Sequence, residues 1–309
     1  MRKGNGCNSV VLAFGGPCMG RDPVLPKGWN EPSHDQLRFK SDFPRVLGQH
    51  QRRPMNDPEN VRGTGSGLVA VVTGASRGLG AGLAKAFADT GLRLGLCART
   101  VPAAPDGADA VTASVDVTDA RALDRFADEV VERFGRVDLW VNNAGVLGPI
   151  GPLVDADPGA LRRHMDINVT GVLLGCRAFA RVVRAQSGGG VLVNISSGAA
   201  TKIYEGWAAY CASKAAVDMM TAVVATEERT HGLRAYALAP GVVDTDMQAQ
   251  IRATPAASFP SVARFIKLDE EQAFNSPGRV ASFILDLVEG RREVSDGVRI
   301  RVPDQPHHG

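Results

Sequence analysis

From residue 67 onward the chain alternates between two hydrophobic patterns. Short continuous apolar runs recur at Leu68–Val72, Leu92–Ala98, Ala110–Val115, Val137–Val141, Val191–Ile195 and Leu233–Leu238, with a last one near Val298–Val302. Runs of this length with no polar alternation are expected of strands buried on both faces. Between them lie stretches with helical spacing: Leu79–Thr90, Asp119–Phe134, Pro158–Gln186, Trp207–Thr230 and parts of 245–289. Seven strands alternating with helices predict an α/β domain, doubly wound, with a mainly parallel sheet flanked by helices on both faces. In such sheets ligands bind beyond the carboxyl ends of the strands. Chemically useful residues are therefore sought directly after the apolar runs.

Residues 1–66 break this pattern. Prolines 17, 23, 26, 32, 44, 54 and 58 interrupt every candidate element, and no period is sustained. This segment carries 10 Lys+Arg against 6 Asp+Glu, whereas residues 67–309 carry 25 against 27. The formal net charge of +2 therefore joins a basic leader to a mildly acidic domain, and it is too small to argue for nucleic acid. The leader reads as a disordered extension, as sequence upstream of a start at Met55, or as a basic docking arm. Residues 67–303 form the expected catalytic domain and 304–309 a loose tail. The opening Val10–Phe14 run is too short for a signal peptide and is broken by Gly15, Gly16 and Pro17. No apolar run reaches the ~20 residues of a membrane span. The five cysteines (7, 18, 97, 176 and 211) are odd in number and widely spread, which fits a reducing, cytoplasmic setting and argues against a disulfide scaffold or a zinc ribbon. His164 and His231 lack metal spacing and read as surface or satisfied side chains; no metal is expected.

Directly after the first apolar run the chain reads TGASRGLG, Thr73 to Gly80. Gly74, Gly78 and Gly80 allow a tight turn and a close backbone approach to a pyrophosphate. The following helix N-terminus offers free N–H groups to phosphate oxygens. The spacing is neither G-x-G-x-x-G nor a Walker loop. Strand two ends at Ala98 without the acid that usually holds a ribose 2′-hydroxyl, and Arg99 stands in its place. Arg99, with Arg77 from the loop, suits a 2′-phosphate, so NADP(H) is expected over NAD(H).

Tyr210 and Lys214 are four residues apart at the start of a predicted helix and so share a face. A free phenol has a pKa of about 10, too high for acid–base work near neutrality. A neighbouring ammonium is expected to lower it. Ser197, thirteen residues before Tyr210 and just after a strand, is placed to hydrogen-bond a developing oxyanion.

Together TGASRGLG (73–80), Asp116, NNAG (142–145), Asn168, Ser197, Tyr210, Lys214 and PGVVDT (240–245) resemble the short-chain dehydrogenase/reductase family over about residues 67–303. The resemblance implies a Rossmann fold with an Asn168–Ser197–Tyr210–Lys214 tetrad. In it Tyr210 is the general acid or base, Ser197 positions the carbonyl, Lys214 holds the nicotinamide ribose, and Asn168 holds a relay water. It also implies cofactor contacts from Gly74, Ser76, Arg77, Gly78, Leu79, Gly80, Arg99, Asp116, Val117, Asn143, Ala144, Gly145, Tyr210, Lys214, Pro240, Gly241, Val243 and Thr245. On composition alone, Asp116 is equally a helix cap or turn residue, and the asparagines are turn residues. Trp207–Met219, Asp244–Gln248, Arg264–Leu268 with the following acids, and Ser295–Val302 look like the sepiapterin reductase and benzil reductase branch, which implies an NADPH-dependent ketone or vicinal dicarbonyl reductase. Arg301 stands where that branch's pterin-anchoring aspartate is expected, which weakens the case for a pterin. A homodimer through Pro158–Gln186 and Trp207–Thr230 is also implied by the resemblance. Other short-chain alcohol dehydrogenases, 3-oxoacyl reductases and a cofactor-sensing binding protein are the competing readings. Trp207, with Ser197 and Tyr210, is a substrate-contact candidate, and Trp207 and Tyr204 read as core or pocket rim. Phe259–Phe265 reads as a lid or a packed surface helix. Cys176 and Cys211 read as small hydrophobes, since no base is adjacent.

Overall fold

The computed structural model describes residues 67–304; the expected extension, Cys7 and Cys18, and the end of the tail lie outside the described residues. Seven strands form one sheet: β1 Val69–Thr73, β2 Arg93–Ala98, β3 Ala110–Ser114, β4 Leu139–Asn142, β5 Gly190–Ile195, β6 Leu233–Ala239 and β7 Arg299–Arg301. Their order is β3-β2-β1-β4-β5-β6-β7, and every neighbouring pair is parallel. This is the expected doubly wound α/β fold. Its order reverses between β1 and β4, which opens a crevice at the carboxyl ends of those two strands.

The continuous apolar runs arise because the sheet is covered on both sides. On one side Leu83 and Phe87 of α1 (Gly78–Asp89) and Val280, Ile284 and Leu287 of α8 (Pro277–Val288) pack on Leu94, Leu96 and Leu238. On the other, α2 (Ala120–Phe134), α4 (Gly171–Ala185) and α5 (Ala208–Glu228) bring Phe126, Val130, Phe179, Val183 and Val217 onto Val69, Val71, Trp140 and Leu192. A polar seam crosses this second core. Asn142 Nδ2 donates to Asn194 Oδ1 at 2.8 Å, and Asn194 Nδ2 to Thr221 Oγ1 at 2.9 Å. Trp140 Nε1 donates to Asn142 Oδ1 at 2.9 Å, so these buried amides are paired.

Two long helices differ from expectation. Pro158–Gln186 is α3 (Pro158–Met165), a π-helical turn (Asp166–Thr170) and then α4. In that turn Gly171 N–H reaches back five residues to the Asp166 carbonyl. Such wide turns often sit at functional sites, and this one carries Asn168. The predicted Trp207–Thr230 helix is α5 followed by a short 3₁₀ turn, stopped by Gly232 at φ 80°. Two helices complete the domain after β6: α6 (Asp246–Arg252) and α7 (Val262–Glu270).

Candidate active site

The crevice begins where β1 ends. Gly74 has φ 66°, and a Cβ there would lie 2.7 Å from the Ala144 Cα. A Cβ on Gly80 would run into the Gly74 carbonyl and the Asn143 amide. Asn143 Nδ2 donates to the carbonyls of Thr73 (2.9 Å) and Gly74 (3.1 Å), while Thr73 Oγ1 accepts from the backbone of Asn143 and Ala144. The NNAG turn after β4 is thereby fastened to the glycine turn after β1. No side chain caps the N-terminus of α1, so its first N–H groups face outward unclaimed by a cap. A cradle without Cβ atoms beside an uncapped, half-positive helix end fits a dinucleotide pyrophosphate.

The segment 240–245 reaches over the same turn. A Cβ on Gly78 would lie 3.2 Å from Thr245 Cγ2, and Arg77 Nη1 pairs with Asp246 Oδ2 at 3.2 Å. Asn275, buried behind, donates from Nδ2 to the Pro240 carbonyl and from its backbone N–H to the Val242 carbonyl. Asp116 Oδ1 accepts from the N–H and hydroxyl of Thr118 (2.9 and 2.8 Å). Those bonds, helped by the nearby Arg99 charge, hold its carboxyl below the usual carboxylate range. Asp116 thus closes the turn that follows β3, and Asp119 is the cap of α2, accepting from Arg121 and Ala122 N–H.

Tyr210 and Lys214 occupy the first two turns of α5, both buried. Lys214 Nζ donates to the Ile195 carbonyl at 2.8 Å and lies 5.7 Å from the Tyr210 ring centre. The expected lowering of the phenol pKa is not found. Burial pushes Tyr210 upward, with only the Ser197 hydroxyl acting against it. Desolvation penalises the phenolate, and Lys214, turned to the Ile195 carbonyl, does not offset it. Lys214 takes the complementary shift: burial lowers it to about 8, opposed by Asp218. Asp218, one further turn along α5, accepts from the Ser196 hydroxyl and pairs with Arg299 Nε at 3.3 Å. Arg299, from β7, also donates to the Ser197 carbonyl at 3.2 Å. Asn168 accepts from Val146 N–H at 2.8 Å and donates to the Val146 carbonyl at 2.7 Å.

An aromatic wall flanks the pair. Trp207 stacks on Phe259 (4.4 Å, 11°) and meets Tyr210 edge-on at 5.4 Å; Tyr204 and Phe265 complete the cluster. Trp207, Phe259 and Phe265 are all buried, so this group is packed rather than a free lid. A cavity of about 660 Å³ lies beside it, lined by Leu153, Ala199, Tyr204, Cys211 and Pro260, on residues that exclude Tyr210 and Ser197.

Residues 68–256 match the family "short chain dehydrogenase". The chain belongs to that family. Its members bind NAD(P)(H), and the β1–α1 cradle fits such a cofactor. Within the family it sits on the benzil reductase-like branch. A benzil reductase ((S)-benzoin forming) of Bacillus cereus is 32% identical over 246 residues, 76% of this chain and 98% of the relative. A sorbitol dehydrogenase of Cereibacter sphaeroides is 35% identical, but over 58% of this chain and 71% of its own length. The crystal structure of a short-chain dehydrogenase/reductase from Saccharomyces cerevisiae superposes with a TM-score of 0.69 at 28% identity, covering 77% of this chain and 97% of that one.

The fold brings together the expected glycine turn, NNAG, 240–245 segment and four tetrad residues of this short-chain dehydrogenase. It leaves Arg77 on Asp246 and Arg99 exposed. Arg301 pairs with Asp304 at 2.7 Å. Sequence reasoning passed over Asp218, Arg299, Asn275 and the structural role of His164. Spacing held the signal for two of them. Asp218 lies eight residues after Tyr210 and His164 four before Asn168, both at same-face intervals on a helix.

Proposed function

We propose that this short-chain dehydrogenase is an NADPH-dependent carbonyl reductase acting on ketones, including one carbonyl of a vicinal dicarbonyl. The observation that carries the reading is the near full-length likeness to the Bacillus cereus benzil reductase, against the shorter match to the sorbitol dehydrogenase. In this chain Phe265 of α7 joins the aromatic wall beside Tyr210.

A bound dinucleotide supplies the hydride. The chain's own residues do the rest. Gly74, Gly80 and the first turn of α1 seat the pyrophosphate; Asn143, Ala144, Gly145 and 240–245 hold the nicotinamide end. Because burial holds Tyr210 above its ordinary pKa, its phenol carries a proton at neutral pH, the form an acid needs. Tyr210 O–H gives that proton to the ketone oxygen while Ser197 O–H donates a hydrogen bond to the same oxygen. The Lys214 ammonium then faces the phenolate left behind. Arg77 and Arg99 select the 2′-phosphate. Releasing Arg77 from Asp246 costs little, since exposed ion pairs contribute about 0–1 kcal/mol. Burial pushes the free thiols of Cys97 and Cys176 up to about 12, which makes them unreactive core side chains, and a cytoplasmic setting is part of the same reading. A homodimer through α4 and α5 belongs to the same reading.

Turnover of benzil, diacetyl, sepiapterin and an acetoacetyl thioester with NADPH and with NADH tests this. Benzil and diacetyl are expected to be reduced fastest, with NADPH preferred. Preference for the thioester would favour a 3-oxoacyl reductase, and tight NADPH binding without any turnover a cofactor sensor. Higher efficiency with NADH would refute the roles of Arg77 and Arg99.

A further inference from the structure

His164, in α3, is almost completely enclosed, at 1% exposure, and every polar atom of its ring is engaged. Its Nδ1 lies 2.7 Å from the Gly148 carbonyl. A carbonyl only accepts, so Nδ1 carries the hydrogen. In a neutral ring Nε2 is then an acceptor, and it faces Asn168 Nδ2 at 3.1 Å and Ser213 Oγ at 3.0 Å. Ser213 Oγ lies 2.8 Å from the Tyr210 carbonyl and spends its proton there. The bond to Nε2 therefore comes from the Asn168 amide. That amide has no freedom left: Oδ1 accepts from Val146 N–H, and its two N–H groups go to the Val146 carbonyl and to His164. Val146 directly follows the Asn143–Gly145 turn. The His164 ring also stands edge-on to the Tyr210 ring, with centres 6.2 Å apart. A doubly protonated ring would turn its Nε2–H to Ser213 Oγ and leave the Asn168 NH₂ without its acceptor.

The geometry points to His164 as a positioning residue of the active site: as the neutral Nδ1–H tautomer it orients the Asn168 amide, and through Asn168's bonds to the Val146 backbone and its own ring edge against Tyr210 it sets the NNAG turn relative to the helix that carries Tyr210. This rests on the carbonyl reductase reading for its kinetic consequences only. The ring's tautomer and its partners are properties of the protein without ligand. Burial, helped by the Lys214 charge, lowers the ring's pKa against the pull of backbone bonds at Gly148 and Ala209, so the ring is held toward its neutral form.

Two measurements test it. In the wild-type protein at pH 7, without substrate, ¹⁵N shifts of the His164 ring should show a protonated Nδ1 and a bare Nε2; the reverse tautomer, or a doubly protonated ring, overturns the assignment. In the second, His164→Leu keeps bulk without the acceptor, and His164→Gln restores an acceptor at the Nε2 position. His164→Leu should lower kcat by about tenfold, corresponding to about 1.4 kcal/mol in the barrier. KM for the ketone should stay within about twofold, and His164→Gln should recover most of kcat. If both variants lose kcat alike, or neither does while both fold, the positioning role is wrong. If His164→Leu does not fold, the Gln variant and the tautomer decide. A wild-type protein that reduces no ketone would sink the carbonyl reductase reading and leave the tautomer result to judge this one.

Discussion

At the residue scale, the active site is costly to the fold, and Lys214 shows how. Its pKa in the folded protein is about 8, against an ordinary 10.5. Between those values the unfolded chain holds a proton that the folded chain does not, so stability rises as pH climbs from about 8 to 10.5. Below 8 the penalty is present in full, on the order of 3 kcal/mol at 1.36 kcal/mol per unit. Lys214→Met should therefore melt several degrees higher than wild type at pH 6.5. The gap should narrow by pH 9.5, and ketone reduction should be lost at both. An unchanged or lower melting temperature at pH 6.5 would contradict the burial argument. Tyr210 shifts the opposite way, so its effect on stability begins only above pH 10. Tyr210→Phe should cut ketone turnover by at least about a hundredfold, as removal of a general acid does. The Kd for NADPH, followed by fluorescence titration, should stay within about threefold. The Tyr210–Lys214 pairing was legible from spacing alone. The direction of the phenol's shift was not, because desolvation depends on what the fold stacks around the ring, here Trp207 and the His164 edge.

At the element scale, strands were readable because both faces of the sheet are covered, which turns each strand into an apolar run. Errors fell at the ends. Val137–Val141 became Leu139–Asn142, since Asn142, polar in sequence, is paired inside the core. The π turn at Asp166–Thr170 has no local sequence mark, and the Asn168 it carries bonds the Val146 backbone 22 residues back. Helix α4 approaches the sheet over Asn142. Gly175 packs so closely that an added Cβ would run into the Asn142 side chain. Gly175→Ala has no strain in φ to overcome, only overpacking, which costs about 1–3 kcal/mol. At about 2–4 °C per kcal/mol for a domain of this size, differential scanning calorimetry should record a fall of about 2–12 °C. Near-normal kcat is expected in the folded fraction, since Asn142 lies behind the site. A melting temperature equal to wild type would mean that α4 can shift outward at no cost.

At the scale of the whole molecule, two helices that cover the second core also leave apolar side chains facing out. Met219 and Val223 are exposed by 59% and 46% on α5, four residues apart and so on one face, and Leu173 is exposed by 45% on the neighbouring α4. The inward faces of the same helices carry Phe179, Val183 and Val217 at 1% exposure or less. Apolar residues scattered singly need no explanation, and these three, on the outer faces of two packed helices, are where the proposed homodimer would pair. A two-fold contact is self-complementary, so a single charge is introduced twice and meets its own copy across the axis. Sedimentation velocity should give a dimer for the wild-type chain. Met219→Arg combined with Val223→Arg should give a monomer, because two like charges on each side are then desolvated against each other. If the wild-type chain sediments as a monomer at all concentrations, α4 and α5 are not the dimer faces and their exposed side chains serve the monomer alone.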